Sequence, residues 1–312
     1  MRLTHSYERV AGISGPFFIL GDIMDLRAIL MGLSFALMWS SAFTSARIIV
    51  QYAPPMASLS LRFLVSGLLG IAIAYAMGQR AKLTRDQWKA TLIFGVCQNA
   101  LYLGLFFVAM QTIEASLAAI IAATMPLIVA LFGWVMGDRP KPLGMLGLVA
   151  GIIGVTVIMG ARLSGTIDVM GLVLCAIGVT ALAIATLSVR GASSGGNVLM
   201  IVGLQMLVGS AVLSVPATLL ESWDIIWSWQ LIVAFFYTTL VPGLLATLVW
   251  FLLVQRIGAI KAATFHFLNP FFGVTIAWAL IGEELTHWDV IGVAIIAAGI
   301  LAVQLSKQGA KL

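Results

Sequence analysis

The chain has 312 residues, of which 61% are apolar and 9% charged, with a net charge of +5 and a mean hydropathy of +1.09. A soluble domain carries about 25% charged residues, so there is too little polar surface to coat a water-soluble globule, and lipid must be the solvent for much of the exterior. The basic excess excludes a nucleic-acid surface, because the Lys and Arg residues are strewn between apolar runs and not clustered on one face.

From the N-terminus, Met1–Asp25 holds only a short apolar core at Pro16–Leu20, too short to span and without a cleavage site behind it. It is expected to be a cytoplasmic or interfacial tail. A spanning helix needs about 20 predominantly apolar residues. Ten segments qualify: Leu26–Val50, Pro55–Gly78, Trp88–Met110, Ala115–Met136, Leu143–Ala161, Val169–Val189, Val198–Leu220, Trp229–Val254, Ala259–Gly282 and Trp288–Leu305. The expected fold is therefore an all-α integral membrane protein of ten transmembrane helices, with short loops that make successive helices antiparallel neighbours.

Lys and Arg in the loops set the orientation. With the N-terminus inside, only Arg47 and Arg162 fall on the outer side and Arg62 within the second span, while every other basic residue is cytoplasmic. The outer loops carry Glu114, Glu221, Asp224, Glu283 and Glu284 instead. Both termini are thus predicted to be cytoplasmic.

The sequence also repeats. Laying Pro126 on Pro270 also lays Phe107 on Phe251, Gln111 on Gln255 and Trp134 on Trp278. With one extra residue at the next turn, Gly137-Asp138 falls on Gly282-Glu283, Gly147 on Gly292 and Gly154 on Gly299. An odd number of helices per repeat makes the halves enter the membrane from opposite sides, as in many secondary transporters. The expected division is a tail at 1–25, a first repeat at 26–161 and a second at 168–305.

Polar or broken helix at mid-membrane needs a reason. Pro126 and Pro270 each remove an amide that would pair with the carbonyl four residues earlier, so both helices should bend there and act as hinges, with Gly243 adding slack. His266 and Asn269 flank the second proline, and an intramembrane ionisable group is a functional candidate. His266 is a candidate for substrate binding or proton exchange. Gln98 and Tyr102 share a helix face, and Trp39 and Trp250 offer aromatic walls. Together Trp39, Gln98, Tyr102, Trp250, His266 and Asn269 are the candidate substrate site. Ser40, Ser41 and Ser45 read as small packing residues, and Trp223, Trp227 and Trp229 as an interfacial belt.

Arg62 costs about 2.5–3.5 kcal/mol if central. Lying two turns from Pro55, it is expected to snorkel outward or to pair, in a structural or gating role. Gly147 and Gly151 form a GxxxG spacing, which serves helix packing within a monomer as well as between chains; a monomer is expected. Cys97 and Cys175 lie in apolar runs and read as buried hydrophobes, with no metal-ligand spacing and no cofactor expected. No Asp or Glu falls deep in a span, which speaks against an organic-cation carrier. No Walker loop is present, so ATP is not the expected driving force.

MWSSAF, the Pro55 to Arg62-Phe63 spacing, the paired prolines and LIGEELTHWDVIGVAIIAAGI resemble the EamA-type drug/metabolite transporter superfamily over roughly Leu26–Leu305. The family pattern carries over to Trp39, Arg62, Pro126, Pro270, Gly282 and Glu283, the last grouped with Arg62 as structural or gating. Ser40 replaces the usual glycine after tryptophan, and Asp138 stands where glutamate is commoner. Within the superfamily the chain looks closest to bacterial amino-acid exporters of the inner membrane. That resemblance implies alternating-access export of aromatic and other neutral amino acids, the bilayer and a small molecule being the partners. Another metabolite or drug (a nucleoside, a sugar-linked compound or an organic cation) is the alternative cargo. A membrane-embedded enzyme would need a catalytic cluster, and His5, His266 and His287 are too scattered to form one; a sensor would have no obvious use for the repeat.

Overall fold

Burial in this chain follows helix–helix contact and not amphipathicity, since the apolar runs carry no polar stripe to mark an outside. The computed structural model describes residues 26–137, 141–162, 168–188, 196–257, 262 and 264–308. The tail at 1–25, Asp138 and the seam at 163–167 lie outside them. Among the described residues all regular structure is helical.

The helical runs are α1 (Leu26–Tyr52), α2 (Pro55–Ala76), α3 (Arg85–Ala109), α4 (Ala115–Val135), α5 (Pro142–Arg162), α6 (Val169–Ser188), α7 (Val198–Leu220), α8 (Trp229–Thr238 continuing to Ala246–Ile257), α9 (Thr264–Leu268 continuing as Asn269–Ile281) and α10 (His287–Gln308). Among the described residues eight helices are long and apolar enough to cross a membrane, and the shorter apolar runs Pro142–Ile158 and Phe265–Ile281 accompany them. Their outward faces are rich in exposed Leu, Ile and Val, and Trp223, Trp227 and Trp229 are exposed where α7 connects to α8. Such a surface is stable only against lipid.

Helix α3 begins before the first apolar residue because Thr84 and Gln87 form a reciprocal capping box. Two pairs of helices pack so closely that only small residues fit. A Cβ on Gly147 of α5 would lie 2.6 Å from the Gly299 carbonyl of α10, and one on Gly154 would lie 2.9 Å from that of Gly292. The GxxxG glycines are thus used within the chain. Likewise α2 meets α7 through Gly67 and Gly203, and through reciprocal bonds in which Ser60 Oγ donates to the Ser210 carbonyl and Ser210 Oγ to that of Ser60, both at 2.9 Å.

Both proline-bearing helices are interrupted. Helix α4 breaks at Thr124, where Thr124 N–H bonds the Ile121 carbonyl and Leu127 N–H that of Thr124, a local tightening just before Pro126 begins the next stretch. Helix α9 is not α-helical throughout, contrary to a single uniform span: Thr264–Leu268 is a 3₁₀ turn, and α-helix starts at Asn269 with Pro270 in its first turn. Gly282 then ends it at φ 68°, a left-handed cap suited to glycine.

Two further irregularities occur, of which only the second is marked in the sequence, by Pro242. Gly95–Tyr102 in α3 and Thr239–Leu245 in α8 are π-helical. The register that lays Pro126 on Pro270 also lays Gly95 on Thr239 and Gln98 on Pro242, so the two π turns occupy matching places.

Candidate functional site

The two π turns face each other across a hollow between α1, α2, α3, α7 and α8. Its wall combines Trp39, Phe43, Phe63, Tyr102, Phe106 and Phe107 with Arg62, Gln98, Asn99, Pro242, Gly243 and Thr247. The volume is about 50 Å³, room for a few waters and far below the roughly 300–1,000 Å³ of a typical ligand pocket. In this conformation the hollow is too narrow to hold a metabolite.

Arg62 does not snorkel. It is 5% exposed, and its Nε donates to the Thr238 carbonyl at 3.2 Å. In an uninterrupted α-helix that carbonyl would receive the amide of residue 242, which is proline and has none. Pro242 therefore creates the acceptor that Arg62 uses. Ser66 Oγ reaches the adjacent Thr239 carbonyl at 3.3 Å, and Thr247 Oγ1 bonds that of Gly243 at 2.7 Å. A Cβ on Gly243 would stand 3.1 Å from the Thr238 oxygen, a tight approach, and 3.5 Å from Arg62 Nη2, an ordinary contact, so Gly243 lies directly beside the guanidinium. The Arg62 cation also lies 5.1 Å from the centre of the Phe63 ring.

Asn99 is buried and donates Nδ2 to the Gln205 carbonyl at 2.9 Å, tying α3 to α7 behind the wall. Arg62 is the one charged residue among those lining the hollow.

The six candidate substrate residues fall into two groups. Trp39, Gln98 and Tyr102 line the hollow. Trp250, His266 and Asn269 do not; they form a second cluster on Phe35 of α1. The Phe35 ring lies 4.8 Å from Trp250, 5.2 Å from His266 and 5.7 Å from Trp39. Asn269 Nδ2 lies 2.9 Å from His266 Nδ1, and Ser40 Oγ donates to the Asn269 carbonyl at 3.2 Å. Ser40, at the position that departs from the family glycine, thus links α1 to the broken α9. Asn269 Oδ1 is buried with no partner. Phe35 and Trp39 join the two clusters along α1.

Glu283, grouped with Arg62 by sequence, sits elsewhere. Its carboxylate accepts the amides of Ala115 and Ser116 at 2.7 and 2.9 Å, capping the N-terminus of α4. Glu221 does the same for α2 through Met56 and Ala57, at 2.7 and 2.8 Å. An ionised carboxylate on the positive end of a helix makes strong, charge-assisted bonds. These caps share one end of the bundle with Arg47, whose guanidinium bonds the Met110 carbonyl. There too Asp168 accepts from Thr112 Oγ1 at 2.5 Å, a bond that holds its carboxyl below the usual range. Pro126, Pro270 and Glu283 are not part of the hollow's wall. No group of His, Cys, Asp and Glu suited to a metal occurs among the described residues.

Sequence reasoning missed Arg62 and Thr247 as wall residues. The Pro242-Gly243 pair was the available signal for Arg62, because a proline in a span advertises a free carbonyl one turn back.

A multi-pass bundle of broken helices around a small polar hollow defines a membrane transporter. The EamA-like transporter family model matches residues 26–160 and again 169–305, and the chain belongs to that family. It is 26% identical to the uncharacterized transporter YvbV of Bacillus subtilis, over 88% of this chain and 90% of that protein. It is 28% identical to the uncharacterized inner membrane transporter YedA of Escherichia coli K12, over 89% and 91%. The aromatic amino acid exporter YddG of Ancylobacter novellus matches at 29%, over 44% of this chain and 48% of that protein. A solved crystal structure aligns with a TM-score of 0.67 at 20% identity, covering 91% of this chain and 99% of its own, which supports the fold alone.

Proposed function

We propose that the chain is an inner-membrane secondary transporter, bacterial in setting, that exports small metabolites, foremost aromatic and other neutral amino acids, by alternating access. The observation that carries this reading is the hollow itself, with one mixed aromatic and polar wall drawn from both family-matched segments. An aromatic or aliphatic side chain would lie against Phe43, Phe63 and Phe106, and polar backbone-like groups against Arg62, Gln98 and Thr247. The partial match to an aromatic amino acid exporter agrees with that chemistry.

In this reading the chain spans the bilayer ten times, with cytoplasmic termini and two halves inserted in opposite senses. The tight contacts support the inversion. Exchanging Gly147 with Gly292 and Gly154 with Gly299 turns the contact of Gly147 with Gly299 into that of Gly292 with Gly154. In the same way, exchanging Ser60 with Gly203 and Gly67 with Ser210 turns the Ser60–Ser210 contact into that of Gly203 with Gly67. A bundle related by a two-fold axis in the membrane plane has this property.

The small volume of the hollow supports a carrier that must rearrange to admit its cargo. The breaks at Thr124 and Leu268 are the hinges, because helix already missing a backbone bond bends at little further cost. Trp250, His266 and Asn269 form a second station on the path, reached from the hollow past Trp39.

The test is uptake into proteoliposomes of the purified chain, using labelled neutral amino acids, nucleosides and cationic drugs, with and without a proton gradient. Saturable amino-acid uptake is expected. Transport confined to nucleosides or cations would reject the substrate assignment.

A further inference from the structure

Resting on the transport reading above, we infer that the carrier selects its cargo by a carboxylate held on Arg62, and that the cargo's amino group has no charged partner in the site. Arg62 is buried on the wall of the hollow, and only its Nε is engaged, by the Thr238 carbonyl. Among the described residues no carboxylate pairs with it. A desolvated guanidinium without a counter-ion is costly, and a planar carboxylate meeting its remaining N–H groups is the strongest available compensation.

The approach is built for an incoming group. Gly243 has no side chain on the flank where Nη2 lies, and the Thr238 carbonyl fixes the Nε end at 3.2 Å. The Nη groups are thus oriented before cargo arrives, which lowers the ordering cost of binding.

The rest of the wall fixes the charge type. Among the described residues no Asp or Glu lines the hollow, so an ammonium entering it meets no opposite charge there, and its partners are neutral groups such as Gln98 and Thr247. A monoanion cancels the single wall charge; a zwitterion or an organophosphate dianion leaves one charge uncompensated, and an organic cation leaves two like charges buried together. The cargo class is an apolar molecule bearing one carboxylate. Deaminated acids therefore enter as amino acids do, and the corresponding amines and amides do not.

The experiment is competition in proteoliposomes of the full chain. Uptake of labelled L-phenylalanine is challenged with 3-phenylpropionate, phenethylamine and L-phenylalaninamide. Inhibition by 3-phenylpropionate is expected within about threefold of unlabelled phenylalanine, with the amine and the amide at least tenfold weaker. Equal or stronger inhibition by phenethylamine would overturn the inference. Arg62→Gln should abolish the ranking and Arg62→Lys should keep it with a raised KM; a Gln variant that transports with the wild-type KM and ranking also overturns it. Thermal shift of the wild-type protein needs no variant: 3-phenylpropionate should raise Tm and phenethylamine should not, and the reverse pattern counts against Arg62. If phenylalanine is not carried, labelled 3-phenylpropionate separates the two claims. Arg62-dependent uptake of it would reject amino acids as cargo and retain carboxylate selection, whereas no uptake of either rejects both.

Discussion

Arg62 and Pro242 lie on different helices, and the second determines where the first can dock: the proline leaves the Thr238 carbonyl without its helical amide, and Arg62 Nε takes that place at 3.2 Å. A break in the α-helical pattern of one helix becomes the anchor for a charge that the bilayer would otherwise reject. The π turn at Thr239–Leu245 is the backbone form of this arrangement, and π turns are frequent at functional sites.

Pro242→Ala should therefore loosen Arg62 by restoring a competing amide. Losing a hydrogen bond from a charged donor is worth about 1.5–3 kcal/mol, so KM for transport should rise about tenfold with a smaller change in kcat. Transport kinetics of the reconstituted variant test this, and a KM within about twofold of wild type would mean that the proline does not hold the guanidinium.

Asn269→Leu should separate stability from activity. Asn269 Oδ1 is buried without a partner, a cost of about 1–3 kcal/mol to the folded state. Removing the amide ends that cost but also strips His266 Nδ1 of its partner at 2.9 Å. These two effects are of similar size and opposite sign, so Tm should change little, while transport falls at least tenfold if the His266 cluster is on the cargo's path. A clear drop in Tm would assign Asn269 to structure instead.

Glu283→Gln should lower Tm, because an amide cannot accept from both Ala115 and Ser116 as the carboxylate does. A loss of about 1–3 kcal/mol is expected for a bond set of this kind. Glu221→Gln should act in the same direction through the start of α2. Scanning fluorimetry in detergent reads both, and unchanged melting in both variants would dismiss the caps as stabilising elements.

Gly299→Val should part α5 from α10. A Cβ at Gly299 would lie 2.7 Å from the Gly147 carbonyl and 2.8 Å from the Gly151 amide, both backbone atoms that cannot rotate away. Overpacking of this kind costs about 1–3 kcal/mol, and the expected readout is a lower Tm with reduced expression. A wild-type Tm would show that the pair can separate freely.

Asp168 gives a pH signature. Its carboxyl is held low, first by the Thr112 hydroxyl, so its contribution is fully present above its ordinary pKa of about 3.9 and fades as pH falls through the lowered value. The Tm difference between wild type and Asp168→Ala should be constant above about pH 5 and shrink in stronger acid. A difference that grows on acidification would reverse the assigned sign.

Composition and apolar run length were enough to read a helical membrane protein, because a span must satisfy its backbone internally and be apolar over a fixed length. The internal repeat and its paired prolines were legible for the same reason: a missing amide is written in the residue type. The reciprocal glycine contacts, the π turn at Gly95–Tyr102 and the division of the six candidate residues into two clusters were not. Those depend on which carbonyl meets which side chain across helices remote in sequence, and apolar helices with no polar stripe leave their facing sides unspecified until they pack. Arg62 illustrates the limit: its sequence position allowed outward snorkelling, and only the neighbouring helix, with its free carbonyl and bare glycine, turned it inward.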